Sequence, residues 1–109
     1  MSLYSQYLRE TGQRYIIEND WGFATYQITG QECYIVDIYI APEHRNTGLA
    51  SRLASMVTDA ARAQGCKWLT GSVNTAIKDP TSSMKVLLAY GMKFLRCTEQ
   101  IMFFGKEIT

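Results

Sequence analysis

Apolar and polar positions along this chain change period several times, and each change marks an element. Tyr34-Ile35-Val36-Asp37-Ile38-Tyr39-Ile40 is a β-branched and aromatic run with a single charge inside it. That is the composition of a central strand covered on both faces. Pro42 ends it. From Gly48 the period lengthens: Leu49, Leu53, Met56, Val57 and Ala60 recur at three- and four-residue steps, with Ser51, Arg52, Ser55, Thr58, Asp59 and Arg62 opposite them. This predicts an amphipathic helix to Ala63, closed by Gly65 as a left-handed cap.

The flanking segments follow the same logic. Residues 3–10 read as a short helix broken by Thr11-Gly12. Arg14 to Glu18 and Trp21 to Ile28 alternate as strands, separated by the turn residues Asn19-Asp20 and stopped at Thr29-Gly30. With the central strand they predict an antiparallel meander. Cys66 to Val73 reads as a strand, which the intervening helix makes a parallel, right-handed neighbour of the central one. Asn74 to Lys78 is a loop. Asp79 is placed to cap a second helix, Pro80 fits its first turn, Met84, Leu87 and Leu88 give it an apolar face, and Gly91 ends it. Lys93 to Arg96 and Glu99 to Phe104 read as a terminal strand pair around Cys97-Thr98, with Gly105 stopping the second. The expected fold class is α/β (α+β). It is a mixed sheet in which an antiparallel meander is followed by a parallel strand pair, flanked by helices, in one domain over residues 1–109.

Composition narrows the function. Apolar residues make up 47% and charged residues 19% of 109, a balance that folds as a globule. The net charge of +1, without a basic run, implies neither nucleic acid nor a membrane surface as partner. No apolar stretch reaches membrane-spanning length and Met1-Ser2-Leu3-Tyr4 lacks signal character, so the expected location is cytoplasmic. Cys33, Cys66 and Cys97 are widely spaced and odd in number, and read as buried structural thiols. His44 is the only histidine, which argues against a zinc site or a serine triad, and no metal is expected.

The chemistry concentrates between the central strand and its helix. Gly48 and Ala50 lack bulk there, so backbone N–H groups of Asn46, Gly48, Leu49 and Ala50 can approach a ligand at a helix N-terminus. Such a terminus carries roughly half a positive charge and unpaired donors, which suits a phosphate, and Arg45 adds charge. The plain alternative is a strand-to-helix turn that uses Gly48 for its dihedral angles. Asp37 is the second informative residue: a carboxylate in an apolar strand is costly unless paired or used, and burial would raise its pKa toward the range of a base. Its plain alternative is a carboxylate satisfied by a neighbouring loop.

Arg45-Asn46-Thr47-Gly48-Leu49-Ala50 matches the R/Q-x-x-G-x-G/A signature of the GNAT superfamily of N-acetyltransferases, and Asp37 to Arg45 resembles the strand that precedes it there. The resemblance covers about residues 14–106. It implies acetyl-CoA as acyl donor, with the pyrophosphate on Arg45, Asn46, Thr47, Gly48, Leu49 and Ala50. It places the pantetheine arm along the backbone of Ile38, Tyr39 and Ile40, where a backbone N–H would also hold the thioester oxygen. Asn74 would contact the pantetheine amides, and Ser83 matches a small residue on the last helix. Asp37 matches an acidic position suited to a general base, directly or through water. Glu43, His44 and Glu32 are lesser candidates. The family's general-acid tyrosine falls on Leu87 here, which leaves Tyr90, three positions on, as the nearest phenol. Tyr15, Trp21 and Tyr39 are candidates for an acceptor groove.

Two readings follow. The first is an acetyl-CoA-dependent N-acetyltransferase moving an acetyl group to a primary amine by direct attack. The second is a non-catalytic GNAT-fold module that binds CoA, acyl-CoA or a protein. The acceptor class stays open between a small molecule and a peptide amine. The few residues before the first strand, where the family has a further strand and two helices, imply an acceptor side that is reduced or completed in a homodimer.

Overall fold

A computed structural model of the protein describes residues 14–76 and 80–109, with Leu3 and Gln6 as isolated positions before them. The helix expected over residues 3–10 lies almost wholly outside the described residues. So do the Asp79 cap and the side chains of residues 80–83, Ser83 among them.

Three strands come first: β1 (Arg14–Asn19), β2 (Gly22–Thr29) and β3 (Glu32–Ile40). A 3-10 turn at Pro42–His44 leads to α1 (Leu49–Ala63), then β4 (Trp68–Asn74), α2 (Pro80–Ala89), β5 (Lys93–Thr98) and β6 (Ile101–Glu107). They form one six-stranded sheet in the order β1-β2-β3-β4-β6-β5. The β3–β4 pair is parallel and its neighbours are antiparallel, which is the mixed sheet the pattern predicts. Both helices lie on one face, α1 against β1 to β3 and α2 against β4 and α1. Among the described residues no element covers the other face, and no helix is long and apolar enough to cross a membrane.

The core sits between the sheet and α1, where Leu53, Val57 and Ala61 meet Ala24, Cys33, Ile35, Leu69 and Phe104. The buried stripe of α1 is turned slightly from the expected one. Met56 is 39% exposed, while Thr58 is buried. Thr58 can go inside because its hydroxyl bonds the Ala54 carbonyl (2.8 Å) and meets the Tyr90 hydroxyl (2.8 Å), so no polar atom is orphaned. Gly65 closes α1 as expected, with φ 86°. The Cys66 N–H donates to Ala61 and the Gly65 N–H to Arg62, so Cys66 belongs to the cap and β4 begins at Trp68.

Two expectations are corrected at the C-terminal end. Gly105 does not stop a strand: it lies inside β6, opposite Thr70 on one side and Lys93 on the other. Its small size serves packing, since a Cβ there would sit 3.0 Å from Leu95 Cδ1 and 3.4 Å from the Leu69 carbonyl oxygen. The β5–β6 turn is made instead at Glu99 and Gln100, with Glu99 at φ 55°. Cys97 is also exposed, unlike buried Cys33 and Cys66, because β5 is the sheet's edge and its positions are open to solvent.

Candidate active site

β3 and β4 pair only from Glu32 opposite Trp68 to Ile35 opposite Gly71. Beyond that point they separate, and a cleft of about 930 Å³ opens between residues 35–40 and 71–74. The α1 entry turn and Lys85, Val86 and Leu87 of α2 complete its walls. The expectation of a strand covered on both faces is corrected: Cys33, Ile35 and Ile40 are buried on the helix side, while Glu32 on the other face is exposed and Tyr34 half-buried. Asp37 and Tyr39 are exposed.

The register of β3 also shifts here. Thr25 of β2 faces Asp37, but the next residue, Tyr26, faces Ile35, so Val36 is an extra residue on β3. Such a bulge bends a strand and reverses the facing of everything beyond it. Thr25 and Gln27 share one face of β2, and their partners are Asp37 and Tyr34, so those two share a face of β3. It is the face away from the helices, because Ile35 and Ile38 join the core on the other.

At the far end of the cleft the chain turns into α1. Asn46 and Gly48 both take left-handed backbone conformations, with φ 63° and 80°. Gly48 is the N-cap, without a side-chain cap bond, and the Arg52 N–H is the one that returns to the Gly48 carbonyl. The N–H groups of the first turn consequently lack intrahelical acceptors and face the cleft mouth. The Thr47 hydroxyl bonds back to the His44 carbonyl (2.6 Å) and does not line the cleft. Arg45 does line it. Its Nε donates to the Ile40 carbonyl (3.0 Å) and its guanidinium lies 5.6 Å from the Tyr39 ring centroid, which ties the turn to the end of β3. A Cβ on Gly48 would meet nothing within 4 Å, so the space before the helix is open. The turn thus fits a phosphate group by its donors, its dipole and its room.

Asp37, Ile38, Tyr39, Ile40, Arg45, Asn46, Gly48, Leu49, Ala50 and Asn74 all line this one cleft. Asp37 is not the buried carboxylate expected, because the divergence of β4 leaves it open. Its carboxylate is held from behind, accepting a hydrogen bond from the buried Thr25 hydroxyl at 3.0 Å. Asn74 also caps a turn, its Oδ1 accepting from the Ala76 N–H at 2.9 Å.

Tyr90 is not brought to the cleft. Its hydroxyl meets Thr58 of α1, and Lys106 Nζ sits 4.6 Å from its ring centroid and 3.1 Å from its carbonyl oxygen. One step past the end of α2, it points between the helix and β6. Leu87 does reach the cleft, over Gly71, and presents only methyl groups there. Of the proposed groove aromatics, Tyr39 lines the cleft, whereas Tyr15 and Trp21 pack against the core and Tyr15 stacks on Tyr26. Glu32 lies at the closed end, accepting from Thr70 at 2.7 Å.

Sequence reasoning missed Ser72, Tyr34 and Lys85. Ser72 lines the cleft on β4, and its hydroxyl is 2.6 Å from the Tyr34 hydroxyl of β3. Only the register joins these two; a serine in one strand and a tyrosine in another carry no spacing signal. Lys85 and Arg45 outnumber Asp37 in the cleft lining, a balance suited to an anionic ligand.

Comparison with known proteins agrees with this geometry. Residues 2–78 match the acetyltransferase (GNAT) family. Thialysine N-epsilon-acetyltransferase of Sus scrofa is 34% identical over 55 residues, which are 50% of this chain and 28% of that protein. The chain therefore spans little more than a quarter of that relative. A GNAT-family structure from Desulfovibrio desulfuricans has a TM-score of 0.78 at 17% identity, covering 88% of this chain and 70% of the other. The PaiA N-acetyltransferase of Thermoplasma acidophilum in complex with coenzyme A has a TM-score of 0.72 at 14% identity, covering 80% and 53%.

Proposed function

Because the chain belongs to the acetyltransferase (GNAT) family, we propose that it is an acetyl-CoA-dependent N-acetyltransferase, moving an acetyl group to a primary amine by direct attack. The observation that carries this reading is the continuity of one cleft from the β3–β4 divergence to the uncapped N-terminus of α1. Backbone N–H groups at Gly48, Leu49 and Ala50 bind the pyrophosphate, with Asn46 and Arg45 beside them and Thr47 holding the turn. The arm of the donor follows Ile38, Tyr39 and Ile40, with Asn74 opposite. Near the Val36 bulge the strand's backbone offers a donor to the thioester oxygen as charge develops on it. Asp37 accepts the proton that the attacking amine must lose.

The coenzyme A complex of the Thermoplasma protein and the amine substrate named by the porcine relative support the choice of donor and acceptor class. A second reading, a module that binds CoA without turnover, is favoured by one observation: α2 offers Leu87 at the cleft while Tyr90 is committed to Thr58. Calorimetric titration of acetyl-CoA against the wild type and Gly48→Glu tests the donor site, since the variant places strain and a negative charge in the open cradle. Binding by the wild type and its loss in the folded variant is the expected result. No binding by the wild type would refute the reading.

A further inference from the structure

The geometry points to the Ser72–Tyr34 hydroxyl pair as the proton source for the departing thiolate, with Ser72 as the catalytic residue and Tyr34 positioning and recharging it. This inference rests on the acetyltransferase reading and assigns a step that reading leaves without a donor.

The pair sits at the point where the sheet opens. Tyr34 and Thr70 are opposite one another, Ile35 and Gly71 are the last paired residues, and Ser72 is the first β4 residue past the junction. Tyr34 reaches diagonally across to it, with 2.6 Å between oxygens. Either hydroxyl can donate in this pair, and since Ser72 lines the cleft and Tyr34 does not, the relay uses the arrangement in which the phenol donates to Ser72 Oγ and the serine proton faces the ligand.

The donor's reach agrees. From Ile40, beside the phosphate turn, to Val36 is about 13 Å along a strand at about 3.3 Å per residue. An extended pantetheine arm covers such a span and delivers its thioester toward the inner end of the cleft, whose lining includes Val36, Asp37 and Ser72. The bulge at Val36 sets Asp37 and Tyr34 on the same face, so the base and the hydroxyl pair lie on one side of the sheet. From the helix side, among the described residues, Leu87 lies over Gly71 at the junction and has no proton to give, while Lys85 and Val86 line the cleft beside it.

The step balances. The amine nitrogen bonds to the acetyl carbon, Asp37 takes the ammonium proton, and the carbon–sulfur bond breaks with its electron pair on sulfur. Ser72 Oγ gives its proton to that sulfur and takes the phenol proton of Tyr34, which solvent restores. The products are the amide and the free thiol.

The test uses the full chain, calorimetry of acetyl-CoA, and loss of thioester absorbance with lysine, thialysine, spermidine and a lysine-containing peptide as acceptors. Ser72→Ala should lower kcat about 10²-fold with acetyl-CoA affinity held within about twofold, since a general acid acts in the transition state alone. Tyr34→Phe should lose less, Ser72→Thr should keep its activity, and the double variant should be no worse than Ser72→Ala, because the pair acts as one unit. Wild-type kcat in Ser72→Ala would overturn the relay and leave the acetyltransferase reading standing. Lost acetyl-CoA binding that Ser72→Thr does not rescue would make the pair structural and also overturn it. A wild type that binds acetyl-CoA but acetylates no acceptor would overturn the relay, and one that does not bind would overturn the reading beneath it.

Discussion

Tyr34 and Asp37 stand three positions apart on β3 and yet face the same side of the sheet. In a regular strand an odd separation puts two residues on opposite faces. The extra residue at Val36 cancels one alternation, so the polar residues Tyr34 and Asp37 turn outward while Ile35 and Ile38 both reach the core. One bulge thereby assembles the polar side of the cleft and keeps its apolar side buried.

Asp37→Asn should lower kcat by about 10²-fold or more, the usual weight of a general base, with acetyl-CoA binding preserved. Thr25→Val, which removes the donor 3.0 Å from that carboxylate, should lower kcat by a smaller factor. Steady-state kinetics beside calorimetry measures both. Full activity in Asp37→Asn would remove it as the base.

A hydroxyl supplied from α2 should substitute for one supplied from β4. Leu87 lies over Gly71 at the junction, so Leu87→Tyr in the Ser72→Ala background should recover part of the lost kcat. A folded double variant with no recovery would show that proton delivery from the helix side fails in this chain.

Gly22 should resist any side chain. It pairs with Ile40, and a Cβ there would lie 2.3 Å from the Tyr39 carbonyl oxygen, so Gly22→Ala must push two strands apart. Overpacking of this kind costs about 1–3 kcal/mol. Urea denaturation should show the midpoint falling with the slope unchanged. An unaltered midpoint would mean that the strands give way freely.

The thiols should divide by burial. Burial, with Cys66 and Glu32 adding to it, pushes the Cys33 thiol from its ordinary 9.0 up to about 12, and burial raises Cys66 as well. A disulfide-exchange reagent should therefore modify Cys97 at once in the native protein and reach the other two only on unfolding. The unfolded chain loses the Cys33 proton above about pH 9 while the folded one keeps it to about 12. Stability should accordingly fall through that window, by about 1.4 kcal/mol per pH unit at most for this group, and Cys33→Ala should flatten the slope. Rapid native labelling of all three thiols would contradict this account.

The sequence by itself determined most of the elements, the antiparallel meander and the parallel β3–β4 pair, but not the insertion of β6 between β4 and β5. Tyr34 to Ile40 had to be a strand by composition, Leu53 and Val57 had to face a core by their spacing, and Gly48 and Gly65 had to bracket a helix through their backbone freedom. The turn from Arg45 to Ala50, with its open helix N-terminus, was legible for the same reason, since it is made by consecutive residues. Tertiary structure decided what depends on register and divergence. The Val36 bulge, the exposure of Asp37, the turning of Tyr90 toward Thr58 and the meeting of Ser72 with Tyr34 are set by how strands distant in sequence pair and part. A single extra residue reverses every facing beyond it, and no local pattern of apolar and polar positions carries that information.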